Sequence, residues 1–104
     1  MRLLISTCPP TDADRIADAL LSKRLVACVS IVPGVRSKYW WQGELVTDDE
    51  VVLLIKTQDH LIDQVLAELK AVHPYQVPEL LSLPVEKGNP DYLAWVADET
   101  RVRG

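Results

Sequence analysis

The sequence predicts an α+β domain of the ferredoxin-like type, with the order β-α-β-β-α-β followed by one additional C-terminal helix. Three observations support this fold class. Apolar runs rich in β-branched residues alternate with segments of helical periodicity. Proline and glycine mark most of the boundaries between them. The chain has 104 residues, a length typical of one compact domain, so residues 1–104 are expected to form a single unit.

The first strand and the first helix are predicted from short apolar patterns. The strand runs from Arg2 to Cys8 and stops at Pro9-Pro10, because proline cannot donate a ladder hydrogen bond. Thr11 is expected to be the N-cap of the helix, with acidic residues in the first turn. The apolar residues that follow have the i, i+3, i+4 spacing of a helix lying on a core.

A long hairpin is predicted in the middle of the chain. Strand patterns cover 25–32 and 35–41, with a bend at Pro33-Gly34, and the return strand covers 44–57 after a turn at Gln42-Gly43. Fully straight, residues 27–41 would span about 50 Å, nearly twice the width of such a domain. The hairpin is therefore expected to bend and also to pair with a neighbouring copy, which would protect its open edge.

The second half of the chain is predicted to form a helix, a strand and a final helix. The helix covers 59–72 and ends before Pro74, which disfavours helical geometry in the preceding residue. A strand covers 79–85. Asn89 is expected to be the N-cap of the last helix, with Pro90 at its first helical position.

Composition excludes several classes of protein. There are 11 Lys and Arg against 15 Asp and Glu, a net charge of −4, which argues against nucleic-acid binding. The longest apolar run, 51–55, is too short to cross a membrane, and the first residues lack the apolar core of a signal peptide. A cytoplasmic location is expected.

The two cysteines are expected to be free thiols. Cys8 and Cys28 form no CxxC pair or zinc-ribbon spacing, in keeping with a reducing compartment. In the predicted topology the third strand lies between the first and the second, which separates these residues by about 9–10 Å. A disulfide needs Cα atoms closer than about 7 Å.

No motif indicates an enzyme. The sequence lacks GxSxG, HExxH, GxxxxGK[ST] and GxGxxG. We therefore expect no catalytic residues and no organic cofactor.

Candidate metal ligands are few and scattered. The best donors are His73, Cys8 and Glu79, with Cys28 a further thiol, because imidazole and thiolate favour copper and zinc. Structural alternatives remain open: His73 can cap the preceding helix, and Cys28 can be a small core residue. The acidic run 48–50 is either a solvated bulge or a weak site for hard cations.

A second set of residues suggests a ligand pocket. Lys56 at the end of an apolar strand can hold a small anion near Tyr39 and Tyr75, or can form an ion pair with Glu79. Trp40 is a candidate for stacking on the same ligand. Because neighbouring strand residues point to opposite faces, one of Trp40 and Trp41 is expected in the core and the other under a ligand or another subunit.

Four ordered motifs resemble one known family, the divalent-cation tolerance proteins called CutA. The motifs span essentially the whole chain and read LVACVSIVPG (25–34), YWWQG (39–43), HPYQVPE (73–79) and GNPDYLAW (88–95). The resemblance implies a ferredoxin-like homotrimer similar in architecture to the PII signalling proteins. It also implies a role in tolerance of copper and other divalent cations.

The chain departs from the family pattern at positions that matter for metal binding. Ser30 stands where the family usually has asparagine. Some members have a thiol in the first strand and a second histidine before the Pro-Tyr pair, and these positions are Ser6 and Val72 here. The copper site that the resemblance implies is therefore incomplete. Two functions are expected: a trimeric protein that binds copper or a similar divalent ion or, alternatively, a PII-like signalling trimer that binds a small anion or metabolite between subunits.

Overall fold

The computed structural model describes residues 1–101. Its central element is a four-stranded antiparallel sheet. The last three residues of the expected domain lie outside the described residues. The strands are ordered β2-β3-β1-β4, so the third strand lies between the first and the second as predicted, and the ferredoxin-like α+β fold is confirmed. In chain order the elements are β1 (Arg2–Cys8), α1 (Ala13–Ser22), β2 (Cys28–Trp41), β3 (Glu44–Thr57), α2 (Ile62–Val72), β4 (Leu81–Pro84) and α3 (Pro90–Glu99).

The core lies between α1, α2 and one face of the sheet. Alternation along β1 buries Leu4, Ser6 and Cys8 on that face, and β3 contributes Val51, Leu53 and Ile55. The helices supply apolar side chains at helical spacing, namely Ile16 and Leu20 from α1 and Val65 and Leu69 from α2. Within residues 1–101, no helix is long and apolar enough to cross a membrane.

Element ends differ from the sequence prediction where local backbone turns intervene. A single 3₁₀ turn at Pro10–Asp12 precedes α1, so the N-cap is Asp12 and the prediction of Thr11 was wrong. β2 begins at Cys28 instead of residue 25 because Arg24 has a positive φ of 57° and the Leu25 N–H donates back to the Leu20 carbonyl. The ladder of β4 covers 81–84 only, a shorter strand than predicted.

The long hairpin contains a β-bulge where the sequence predicted a bend. Val32 pairs with Val52 and Val35 pairs with Glu50, so β2 has one more residue than β3 between these pairs. Gly34 has φ +74°, which glycine adopts without strain. The strands continue on both sides of the bulge. Their 14 residues span about 46 Å at 3.3 Å each, matching the 45 Å longest dimension of the molecule.

The two neighbouring tryptophans lie beyond the reach of the helices. Trp40 is 73% exposed and Trp41 is 41% exposed, so the prediction that one of them enters the core was wrong. The reason is the length of the hairpin: the core side chains of β3 begin at Val51, near the middle of the strand. The turn itself follows the sequence, with positive φ at both Gln42 and Gly43 as in a type I′ turn.

Candidate functional site

A cavity of about 640 Å³ opens between the outer half of the hairpin and the segment that follows α2. We call it the hairpin cavity. β2 contributes Tyr39 and Trp41, β3 contributes Glu50, and the segment after α2 contributes Tyr75 and Glu79. The remaining lining residues are Thr7, Ser37, Lys38, Pro74, Gln76 and Val77.

Two tyrosines that line this cavity donate hydrogen bonds to carboxylates, one of which lines the cavity while the other lies outside it. The Tyr75 hydroxyl donates to Glu50 Oε2 at 2.7 Å, and the Tyr39 hydroxyl donates to Asp48. Burial and the bond to Glu50 raise the pKa of Tyr75, and the bond to Asp48 raises the pKa of Tyr39. Both phenols therefore stay protonated at neutral pH and act as donors.

Glu50 is the most buried acidic group of the site. It is 4% exposed, and Tyr75 supplies its one hydrogen bond among residues 1–101. Of the two alternatives for 48–50, the solvated bulge was wrong for Glu50, which is buried, although Asp49 is exposed. These residues form a regular part of β3, and the bulge lies in the facing strand, so the Glu50 side chain is directed into the cavity wall.

His73 connects the end of α2 to β1. Its backbone N–H closes the last helical turn on Leu69, and its ring Nδ1 accepts a hydrogen bond from the Tyr75 N–H at 3.1 Å. Because Nδ1 is an acceptor, Nε2 carries the proton and donates to the Thr7 carbonyl at 2.8 Å. Both ring nitrogens are thus engaged, in a side chain that is 8% exposed. A metal ion could bind His73 only by displacing one of these bonds.

The other predicted thiol and carboxylate ligands lie in different surroundings. Cys8 is fully buried in the core, and burial raises its thiol pKa from 9.0 to about 11, which disfavours the thiolate that metals bind. The Glu79 carbonyl accepts a hydrogen bond from the Ser6 hydroxyl at 2.7 Å, and Glu79 lines the hairpin cavity. Across the described residues, no three His, Cys, Asp or Glu side chains are grouped closely enough to hold a metal ion.

Lys56 lies far from the aromatic residues that were grouped with it. Its ammonium donates to Ser30 Oγ at 2.6 Å and lies 3.7 Å from Cys28 Sγ, instead of pairing with Glu79. Along β3, Lys56 is ten residues from Val46, the partner of Tyr39, a separation of about 33 Å. The structure therefore does not bring Lys56 into the hairpin cavity.

Trp40 also lies outside the cavity. It pairs with Leu45, and by strand alternation both point away from Tyr39 and Trp41. Sequence reasoning assigned Trp40 to the ligand site, kept Trp41 only as the other member of the pair, and considered Glu50 only as part of the acidic run 48–50. The i, i+2 spacing of Tyr39 and Trp41 was a usable signal for Trp41. Glu50 had a weaker one, because it adjoins the apolar run that starts at Val51.

The comparison of the sequence with known families gives one clear result. Residues 2–99 match the model of the CutA1 divalent ion tolerance protein family. A relative from Thermus thermophilus, named divalent-cation tolerance protein CutA, is 46% identical over 99 residues, which are 94% of this chain and 96% of the relative. The rice relative named Protein CutA 1, chloroplastic, is 47% identical over 87 residues, 84% of this chain and 49% of the relative. The chain thus spans about half the length of the rice protein.

Comparison of folds agrees with comparison of sequences. The solved structure of the Thermus thermophilus divalent cation tolerance protein matches 97% of this chain and 100% of its own, with a TM-score of 0.92 and 46% identity. The family model covers nearly the whole chain, and the Thermus thermophilus relative has a similar length and is 46% identical. Both findings show the family. The chain belongs to the CutA1 divalent ion tolerance protein family.

Proposed function

We propose that this protein acts in divalent-cation tolerance as a cytoplasmic homotrimer that binds copper or a similar divalent ion, in a binding role without catalysis. Family membership supports the link to divalent cations. The observation that carries the proposal is the hairpin cavity, whose carboxylates Glu50 and Glu79 form no ion pair with any of residues 1–101. Carboxylates that form no ion pair favour binding of a cation.

The donors support an oxygen-rich site with Glu79 at its centre. A divalent ion can be held by one or two carboxylates and complete its shell with water. Glu79 and Glu50 supply these oxygens, and the remaining oxygen of Glu50 has no hydrogen-bond partner among the described residues. His73 and Cys8, on the core side of the same strand end, are proposed as additional ligands for copper, each after losing its present bond or proton.

Assembly as a trimer is supported by the apolar surface that the single chain leaves uncovered. By strand alternation Leu81, Leu83 and Val32 lie on the sheet face opposite the core, and all three are exposed. Trp40 and Leu45 add a second exposed apolar pair near the tip of the hairpin. Large exposed apolar side chains on both faces of the sheet favour burial against further copies of the chain.

Calorimetric titration tests the metal proposal. Cu²⁺ and Mn²⁺ are titrated into the wild type, Glu79→Gln, His73→Ala and the matched control Glu86→Gln, which changes an exposed carboxylate outside the cavity. We expect at least about tenfold weaker binding for Glu79→Gln, a loss of about 1.4 kcal/mol, and no change for the control. Unchanged Cu²⁺ binding in His73→Ala removes His73 from the site, and equal binding by all four proteins contradicts the proposal.

A second function is supported by Lys56. This ammonium is partly buried, forms no ion pair within residues 1–101, and lies beside the hydroxyl of Ser30. We propose as the alternative a PII-like signalling trimer that holds a small anion at this position, between subunits. Inorganic phosphate should raise the melting temperature of the wild type and of Lys87→Ala but not of Lys56→Ala. A shift that persists in Lys56→Ala contradicts this alternative.

A further inference from the structure

Glu50 is a buried carboxylate that no cation of the described chain approaches within ion-pair distance. The side chain is 4% exposed, and its one hydrogen bond comes from the neutral hydroxyl of Tyr75. No ion pair within residues 1–101 includes Glu50. A buried carboxylate without a counter-ion is unfavourable unless a positive group approaches it.

The cavity next to Glu50 is larger, and its lining is more aromatic, than a site for a bare metal ion requires. The hairpin cavity measures about 640 Å³, within the range of roughly 300–1,000 Å³ for sites of small organic ligands. Tyr39, Trp41 and Tyr75 contribute rings, and Glu79 contributes a second carboxylate. Lys38 also lines the cavity, but its ammonium donates to Thr47 Oγ1 at 3.2 Å.

A carboxylate set among aromatic rings is suited to an organic ammonium ion. The charged nitrogen pairs with the carboxylate, and the adjoining methylene groups pack on ring faces that attract positive charge. We propose that the hairpin cavity binds a protonated aliphatic amine, with its ammonium group on Glu50 and its carbon chain against Tyr39 and Trp41. The amine shares Glu50 with the divalent-ion site proposed above but requires no metal ion.

Titration with 1,4-diaminobutane in the presence of EDTA tests this proposal on the full chain. We expect saturable binding to the wild type and none of 1,4-butanediol, which has the same carbon chain without charge. Glu50→Gln should weaken diamine binding at least about tenfold, the amount expected for loss of a charged partner. Trp41→Leu should weaken it about two- to thirtyfold through loss of the ring face. Glu86→Gln should bind as the wild type does.

A second variant keeps the test informative if Glu50→Gln fails to fold. Tyr75→Phe removes the hydroxyl that occupies Glu50 Oε2 and leaves the carboxylate in place, so this variant should retain diamine binding. Absence of diamine binding to the wild type, equal binding of the diol, or unchanged binding by a folded Glu50→Gln protein overturns the proposal. Loss of binding in Tyr75→Phe also overturns it.

The metal titrations separate this inference from the proposed function. Binding of Cu²⁺ or Mn²⁺ without any binding of diamine contradicts the amine proposal alone. Binding of diamine in EDTA, with no binding of either metal ion, contradicts the divalent-ion proposal alone.

Discussion

The two halves of the long hairpin share the same strands and differ in what covers them. Near the helices, Val51, Leu53 and Ile55 are buried in the core. Toward the tip, Trp40 and Leu45 stand exposed on one face, and Tyr39 lines a cavity on the other. This difference indicates that the two halves have different roles. The inner half stabilises the fold, and the outer half carries the side chains of the proposed ligand site and of the proposed subunit contact.

The largest loss of stability is expected when a core side chain of the inner half is truncated. Leu53→Ala removes a fully buried side chain from the centre of the sheet and should lower the free energy of unfolding by about 2–5 kcal/mol. Urea denaturation measures it. Leu53→Met is the matched control and should cost less than about 1.5 kcal/mol, because it conserves volume. Equal losses from both variants would show that side-chain volume at this position is not the cause.

A substitution in the outer half should weaken the association of subunits more than it destabilises the fold of the single chain. Trp40→Ala should destabilise the proposed trimer by about 2 kcal/mol or more, as expected when a tryptophan anchors an interface. Sedimentation velocity over a range of protein concentrations measures the shift toward monomers. Lys38→Ala, on the same face of the same strand, is the control. A Trp40→Ala protein that sediments as the wild type does would remove Trp40 from the subunit contact.

Alkaline pH should destabilise the core next to the inner half through Cys8, which lies in β1 and pairs with Val51. Burial raises the pKa of this thiol from 9.0 to about 11, so the folded state retains a proton that the unfolded state loses. The free energy of unfolding is therefore unaffected by this group below pH 9 and falls as the pH rises toward 11. At pH 10.5 we expect a loss of about 2 kcal/mol from Cys8.

Comparison with Cys8→Ala isolates this contribution. Urea denaturation at pH 8 and pH 10.5 gives the change in stability of each protein, and the alanine variant should lose about 2 kcal/mol less over this interval. Tyrosines titrate in the same range in both proteins, so their effects cancel in the difference. Parallel losses in the two proteins would contradict the assignment to Cys8.

The smallest effect is expected at the tip of the outer half. Gly43 has φ +80°, and a Cβ there would meet open space, so the cost of Gly43→Ala is backbone strain alone. We expect a loss of about 1 kcal/mol. Gly43→Asn should lose less, because asparagine tolerates positive φ. If both variants unfold at the same urea concentration as the wild type, the turn does not constrain the hairpin.

Local chemistry made much of the fold predictable. The bounds 44–57 of β3 and the start of α3 at Asn89-Pro90 follow from strand pattern and capping, and the Asn89 side chain does accept the Asp91 N–H. The start of β2 was predicted three residues too early because the turn after α1 depends on a positive φ at Arg24. Arginine rarely adopts this conformation, so the sequence does not predict it.

The candidate site was harder to foresee because it depends on register. Lys56 and Tyr39 lie in paired strands, and the register set by the turn at Gln42-Gly43 places Tyr39 near the turn and Lys56 at the far end, so grouping them overlooked this register. Glu50 was obscured because an acidic run is usually solvated. Its one side-chain hydrogen bond within residues 1–101 comes from Tyr75, a residue that lies beyond α2 in the sequence.

The bulge at 33–34 has a further consequence, for how the hairpin can change in evolution. By adding one residue to β2 it reverses the phase of side-chain alternation, so that Tyr39 and Trp41 share a sheet face with Glu50. Loss of a single residue at this point would exchange Trp40 and Trp41 between the cavity and the opposite surface. We therefore expect insertions or deletions in the outer half of β2 to be tolerated in pairs, since an odd number would exchange the side chains of the two faces beyond that point.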